Sequence, residues 1–155
     1  MQPLLLLGGL AILSVGTLGV NYLLVDTRQD LQDSRIALPA INSTHSLVGW
    51  AASMRFDEEG SWLPLQQLTD WDALGPDSGE GEDEFDDVDD LHGLTRAFVT
   101  EGVTVTANCS VEYVEEGALT LPVQTRTHHK LLTVTVTGEF LPDPVIYQSV
   151  FSSGT

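Results

Sequence analysis

The sequence has few basic residues and many acidic ones. Its 155 residues include 6 Lys and Arg against 23 Asp and Glu, which gives a formal net charge of −17. Phosphate backbones attract basic surfaces, so this charge excludes nucleic acid as a natural partner. Abundant carboxylates with a single lysine, Lys130, are typical of a protein kept soluble at high salt, and the composition is compatible with a halophilic source.

The sequence also has only one cysteine and lacks the common catalytic motifs. Cys109 cannot form an intrachain disulfide, and its place in an alternating strand pattern predicts a small buried side chain. There is no Gly-x-Ser-x-Gly, no phosphate-binding glycine loop and no cysteine–histidine set with metal-ligand spacing. His128 and His129 are adjacent and would point to opposite faces of a strand. We therefore expect no catalytic residues and no enzyme.

The N-terminal segment lacks charge, because none of the residues from Met1 to Val25 has a charged side chain. Roughly 20 apolar residues span the ~30 Å hydrocarbon core of a bilayer, so this run is long enough to cross a membrane. Three interpretations stay open: a secretory signal peptide, a single-span anchor, and a helix that leaves the membrane to join a filament core. The signal peptide fits least, because no basic residue precedes Arg28 and no Ala-x-Ala site is present.

The filament-core interpretation depends on small residues within this apolar run. Small side chains let neighbouring helices approach closely when their surroundings are already apolar. Under this interpretation, the positions expected to pack between helices are Leu5, Gly9, Ile12, Gly16 and Gly19.

An amphipathic helical pattern continues beyond the apolar run. Leu24, Leu31 and Leu38 recur every seven residues, and apolar positions stay on one side as far as Met54. The pattern predicts that residues 26–56 continue the helix of residues 1–25. The second half of this long N-terminal helix would then pack on a sheet.

Residues 57–93 form an acidic, glycine- and proline-rich connector. Eleven of the 23 carboxylates lie between Asp70 and Asp90, and glycine, proline and aspartate favour irregular loops. Phe85, Val88 and Leu91 are spaced by three and predict one helical turn held against the body. Closely spaced carboxylates suit Ca²⁺, although the spacing does not match an EF-hand loop. Two interpretations stay open, a hydrated acidic loop and a Ca²⁺ site, whose candidate ligands are Asp86, Asp87, Asp89 and Asp90.

Residues 94–155 change to a period of two, which is typical of strands with one buried face. Breaks at glycine, proline and turn residues separate the segments. The predicted strands are Thr95–Glu101, Val103–Glu115, Leu119–Thr127, Lys130–Thr137 and Val145–Phe151. The expected fold class is α+β, with the long N-terminal helix packed on a C-terminal antiparallel sheet of four or five strands in sequential order.

Two tripeptides match the N-glycosylation sequence. Asn42-Ser43-Thr44 and Asn108-Cys109-Ser110 make Asn42 and Asn108 candidate acceptors. Such matches occur by chance in a chain of this length, so modification and an unmodified side chain both stay open.

The connector resembles a segment of known minor pilins. Residues 74–80 read Leu-Gly-Pro-Asp-Ser-Gly-Glu, and residues 85–93 read Phe-Asp-Asp-Val-Asp-Asp-Leu-His-Gly. These residues are similar to a stretch of the minor pilins of the mannose-sensitive haemagglutinin type, within the type IV pilin and pseudopilin superfamily. The layout of helix, connector and sheet resembles that superfamily as well. The chain departs from it at Leu5, where pilins usually carry glutamate in the mature subunit.

The resemblance implies a structural subunit of a type IV pilus-like extracellular filament, or fimbria, at the cell surface. It implies apolar helices bundled in the core, acidic heads outside, and a role in cell adhesion. The implied partners are identical subunits, the pilus assembly machinery and, before assembly, the inner membrane. An alternative is a membrane-anchored or minor tip subunit whose acidic loop binds Ca²⁺ or another ligand.

Overall fold

The computed structural model describes residues 38–58, 60, 63–100 and 102–153, all within one compact unit, Leu38–Thr155. The predicted membrane or filament-core segment, with Leu5, Gly9, Ile12, Gly16 and Gly19, lies outside the described residues. No helix among the described residues is long and apolar enough to span a membrane.

The prediction of a long N-terminal helix that reaches about Phe56 is wrong. In the described part of the chain the helix, α1, covers residues 38–51, which is 14 residues. After Ala51 the amide of Ser53 bonds the carbonyl of Trp50 (2.9 Å), a shorter turn that ends the helical ladder. The amide of Arg55 then bonds the carbonyl of Asp86 (3.0 Å), so the backbone pairs with the acidic connector instead of continuing as a helix.

Five antiparallel strands form the sheet: β1 (Thr95–Thr100), β2 (Val103–Glu115), β3 (Ala118–Pro122), β4 (His129–Gly138) and β5 (Val145–Ser152). Their order is β1-β2-β4-β5, with β3 paired to the end of β2. The expected sequential order is therefore wrong at β3, because β4 pairs directly with β2. The register of the β2–β3 pair shifts between Val114 and Glu115, an irregularity of the kind that increases the local twist of a strand.

The core lies between α1 and the inner face of the sheet. Alternate residues of β2 and β4 are fully buried there, as expected when one face of an antiparallel sheet is covered. The helix contributes Leu47 and Ala51, and the connector contributes Val88 and Leu91. The inward residues of the two central strands are Val105, Ala107, Cys109, Val111, Leu132, Val134 and Val136.

The connector is fixed to α1 through aromatic contacts. The Phe85 ring stacks on the Trp50 ring with centroids 6.0 Å apart, and the Arg96 guanidinium of β1 lies 4.8 Å from the Trp50 ring centre. Arg96 also pairs with Glu82 of the connector (2.6 Å). With the buried Val88, these contacts join helix, connector and sheet edge into one body.

Candidate functional site

The only lysine of the chain is buried in the centre of the described body. Lys130 occupies an inward position of β4, two residues before Leu132, and no part of it is exposed to solvent. Its Nζ donates to the Asp57 carboxylate (2.9 Å), to the Phe56 carbonyl (2.6 Å) and to Oδ1 of Asp89. The ammonium also lies over the Phe56 ring, 4.4 Å from its centre, which is a cation–π contact. We call Lys130, Asp57 and Asp89 the Lys130 cluster.

The two carboxylates of the Lys130 cluster are themselves buried. Asp57 and Asp89 are 1% and 2% exposed. Asp57 accepts hydrogen bonds from the amide (3.0 Å) and the hydroxyl (3.3 Å) of Thr69, whose carbonyl accepts from the Tyr113 hydroxyl (2.8 Å). Asp89 Oδ2 has no donor among the described residues. Burial raises the pKa of Asp89 above its usual range, and Lys130 opposes that rise.

The Asp-Asp-Val-Asp-Asp spacing builds a turn in which two side chains bond the backbone. Oδ1 of Asp87 accepts the amides of Asp89 (2.6 Å) and Asp90 (3.4 Å). Oδ2 of Asp90 accepts the amides of Asp86 (2.9 Å) and Asp87 (3.2 Å). Short acidic side chains form such local bonds readily, so Asp87 and Asp90 act as reciprocal caps of this turn.

Asp87 has an environment unusual for a carboxyl group. Its side chain is 1% exposed, and burial raises its pKa to about 8, with the charges of Asp89 and Asp90 adding to the rise and Lys130 opposing it. At neutral pH this group therefore takes up a proton that an exposed aspartate would release.

Three carboxylates could hold a metal ion: Glu58, Asp86 and Asp87 present oxygen atoms within 4.8 Å of one another. Desolvation raises the pKa of Glu58, and the Asp86 charge adds to the rise. Ca²⁺ takes 6–8 oxygen ligands, and these side chains supply part of such a shell. The Arg55 guanidinium pairs with Asp86 and already offsets some of the negative charge.

The structure separates the four predicted calcium ligands. Asp86 and Asp87 lie together, joined by Glu58, which the sequence did not single out. Asp89 faces Lys130, and Asp90 bonds backbone amides. Asp89 and Asp90 therefore do not join the group of oxygen atoms that Glu58, Asp86 and Asp87 form.

The candidate glycosylation residues are both exposed. Asn42 lies on α1, and Asn108 lies within β2, where its Oδ1 accepts a hydrogen bond from the Thr95 hydroxyl (2.9 Å). Cys109 beside it is buried, as the alternation predicts, and burial raises the pKa of its thiol to about 11.

A shallow groove of about 350 Å³ lies at the other end of the connector. Trp71 is 41% exposed there, beside Gln66 and Gln124, and Arg126 pairs with Asp70 (3.0 Å). The groove combines an aromatic face with polar side chains and is wide open to solvent.

Sequence reasoning missed the Lys130 cluster, although one signal was available. Lys130, Leu132, Val134 and Val136 share one face of a strand by their spacing. A lysine in the inward register of an apolar strand requires a buried acidic partner, because an unpaired buried charge is costly. The identity of the partners, Asp57 and Asp89, could not be read from the pattern.

Comparison with known proteins gives no match: no protein-family model, curated protein or solved structure matches this chain. The likeness to pilins therefore depends on the residues of the connector quoted above and on the layout of the chain.

Proposed function

We propose that this chain is a structural subunit of a type IV pilus-like extracellular filament, with its acidic head outside and its apolar N-terminal segment in the core. The observation that carries the proposal is the connector at residues 74–93, whose residues resemble those of minor pilins. The proposed partners are identical subunits, the pilus assembly machinery and, before assembly, the inner membrane.

The charge distribution along the chain supports this function. Residues 1–25 carry no charge, whereas the net charge of the whole chain is −17. An apolar segment of this length leaves a bilayer at tolerable cost only by entering another apolar environment, and a bundle of like segments provides one. The acidic heads repel one another less when salt screens them at the filament surface.

Deletion of the gene in the source cell tests the proposal. We expect the deletion to abolish a class of surface filaments in electron micrographs, and expression of the wild-type chain to restore them. Gly9→Leu and Gly16→Leu should fail to restore them, because bulky side chains prevent the close approach of neighbouring apolar segments. Thr104→Ala, on the exposed sheet face, is the matched control and should restore them. Unchanged filaments in the deletion strain, with the protein found only as detergent-dependent monomers, would refute this function.

The convergence of Glu58, Asp86 and Asp87 favours a second candidate, a membrane-anchored or minor tip subunit that binds Ca²⁺ through the connector. For this candidate we expect a saturable heat of binding when CaCl₂ is titrated into the chelator-treated protein. Asp86→Asn should remove the signal, and Asp83→Asn, exposed in the same connector, should keep it. Heat of dilution alone would rule this candidate out and leave the filament subunit unaffected.

A further inference from the structure

The Lys130 cluster places an amine against carboxyl groups in a pocket closed to water. We propose that Lys130 Nζ forms an intramolecular amide bond, an isopeptide bond, with the side-chain carboxyl of Asp89. The nucleophilic nitrogen already contacts Oδ1 of Asp89, and both side chains are at least nine-tenths buried. The rings of Phe56 and Tyr113, 4.4 and 5.5 Å from Nζ, form part of the wall of the pocket.

Burial changes whether Lys130 and Asp89 are more stable as separate ions or as an amide. In water an ammonium and a carboxylate are well solvated and stay separate ions. Within the fold, Lys130 carries one positive charge between the two negative charges of Asp57 and Asp89, and none of them reaches solvent. Buried ions carry a desolvation penalty that their pairing repays only in part. Condensation removes two of the three charges and expels one water molecule, while Asp57 keeps the hydrogen bonds of the Thr69 amide and hydroxyl, so the dry pocket favours the amide.

An unpaired atom of the cluster supports the same conclusion. Asp89 offers one oxygen to Lys130, and its Oδ2 has no donor among the described residues. A buried acceptor without a donor costs free energy that a well-paired site does not pay. Condensation removes one of the two oxygens of Asp89, which leaves a single carbonyl oxygen to be satisfied.

Asp57 is placed to carry the proton in this reaction. Its Oδ2 lies 2.9 Å from Lys130 Nζ, and it is held there by the amide and hydroxyl of Thr69. Asp57 accepts a proton from the ammonium and passes it to Asp89, and the freed amine attacks Cγ of the neutral Asp89 carboxyl group. The nitrogen–carbon bond forms, one carbon–oxygen bond of Asp89 breaks, and the oxygen leaves as water with two hydrogens that came from the ammonium. Asp57 ends unchanged, as a general base and then a general acid.

The fixed positions of Lys130 and Asp89 accelerate the condensation. Well-oriented groups held in contact react with effective concentrations that are orders of magnitude above those in solution, which permits a step that free amines and carboxylates do not take. The product would join the connector to the central strand β4 covalently. The chain's single cysteine offers no intrachain disulfide for that purpose.

The intact mass of the purified full-length protein, measured after denaturation, tests the bond. We expect the wild type to be lighter than its sequence by one water molecule, and a protease digest to contain a branched peptide that joins Lys130 to Asp89. Lys130→Arg should have its full sequence mass, which also excludes a dehydration elsewhere in the chain. A wild-type mass equal to that of the sequence overturns the proposal.

Three further variants distinguish the chemistry from other modifications. Asp89→Asn should lose ammonia instead of water and reach the same final mass as the wild type, because both condense to the same amide. Asp57→Ala keeps both reacting groups and should retain its full sequence mass. Asp89→Ala should also have its full sequence mass, and a loss of water in this variant would refute Asp89 as the partner of Lys130. A loss of water in Asp57→Ala would refute the role of Asp57.

Discussion

Replacement of Lys130 by methionine is expected to lower the free energy of unfolding by about 3–5 kcal/mol, because the variant lacks the Lys130–Asp89 amide and leaves two buried carboxylates without a partner. Methionine matches the length of the lysine stem but leaves Asp57 and Asp89 without a cation, and both are almost completely buried. Urea denaturation at neutral pH, followed by tryptophan fluorescence, measures this loss. The urea concentration at the unfolding midpoint should decrease, while the dependence of the unfolding free energy on urea concentration stays the same.

Two comparisons show whether charge causes that loss. In the triple variant Lys130→Met, Asp57→Asn, Asp89→Asn, the part of the loss caused by uncompensated buried charge should return, because the amide oxygen of residue 57 can still accept from Thr69. The part caused by loss of the Lys130–Asp89 amide should not return. Arg96→Met removes an exposed pair with Glu82 and a cation–π contact with Trp50, and should cost no more than about 2 kcal/mol. A single Lys130→Met variant as stable as Arg96→Met would contradict the stabilising role of the Lys130 cluster.

The free energy of unfolding is expected to decrease as the pH rises through the range in which Asp87 titrates. The pKa of Asp87 is about 8 in the folded chain, against 3.8 for an ordinary aspartate, so the folded state holds this proton more tightly than the unfolded state. The stabilisation is complete below pH 3.8 and is lost as the pH rises to about 8. Between these limits one group contributes a slope of about 1.4 kcal/mol per pH unit.

Asp87→Asn isolates this contribution. The asparagine Oδ1 can still accept the amides of Asp89 and Asp90, so the turn is retained while the titration is removed. We expect the free energy of unfolding of Asp87→Asn, measured from pH 5 to pH 9 with a chelator present, to lack the decrease that Asp87 causes in the wild type. The difference in slope corresponds to about one proton per molecule. Asp83→Asn, in an exposed position of the connector, should retain the wild-type slope. Parallel curves for wild type and Asp87→Asn would contradict the assignment.

Local patterns predicted much of the sheet. Alternation places Val105, Ala107 and Val111 on one face of β2, and these side chains lie in the core. The spacing of Phe85, Val88 and Leu91 predicted a turn held to the body, and Val88 and Leu91 are buried there. Such features depend on neighbours two to four residues away, which the sequence shows directly.

The end of the helix and the partners of Lys130 could not be predicted in this way. The apolar period beyond Ala51 is compatible with more helix, but the backbone of Arg55 pairs with residues 86–88, far along the chain. Lys130 reaches Asp57 and Asp89 across 73 and 41 residues. No local signal ranks these aspartates above the other carboxylates of the connector.

The sequence by itself determined the acidic charge, the single buried cysteine, the positions of four of the five strands and the apolar character of residues 1–25. The predicted strand Leu119–Thr127 is too long, because β3 ends at Pro122. Only the tertiary structure decided where α1 ends, that β3 leaves the path from β2 to β4, and which carboxylates surround Lys130. The physical reason is that burial and ion pairing depend on which distant segments meet. Periodicity records only which face of a segment is apolar. One lysine in a chain of 23 acidic residues has many eligible partners, and the fold selects two of them by excluding water around all three.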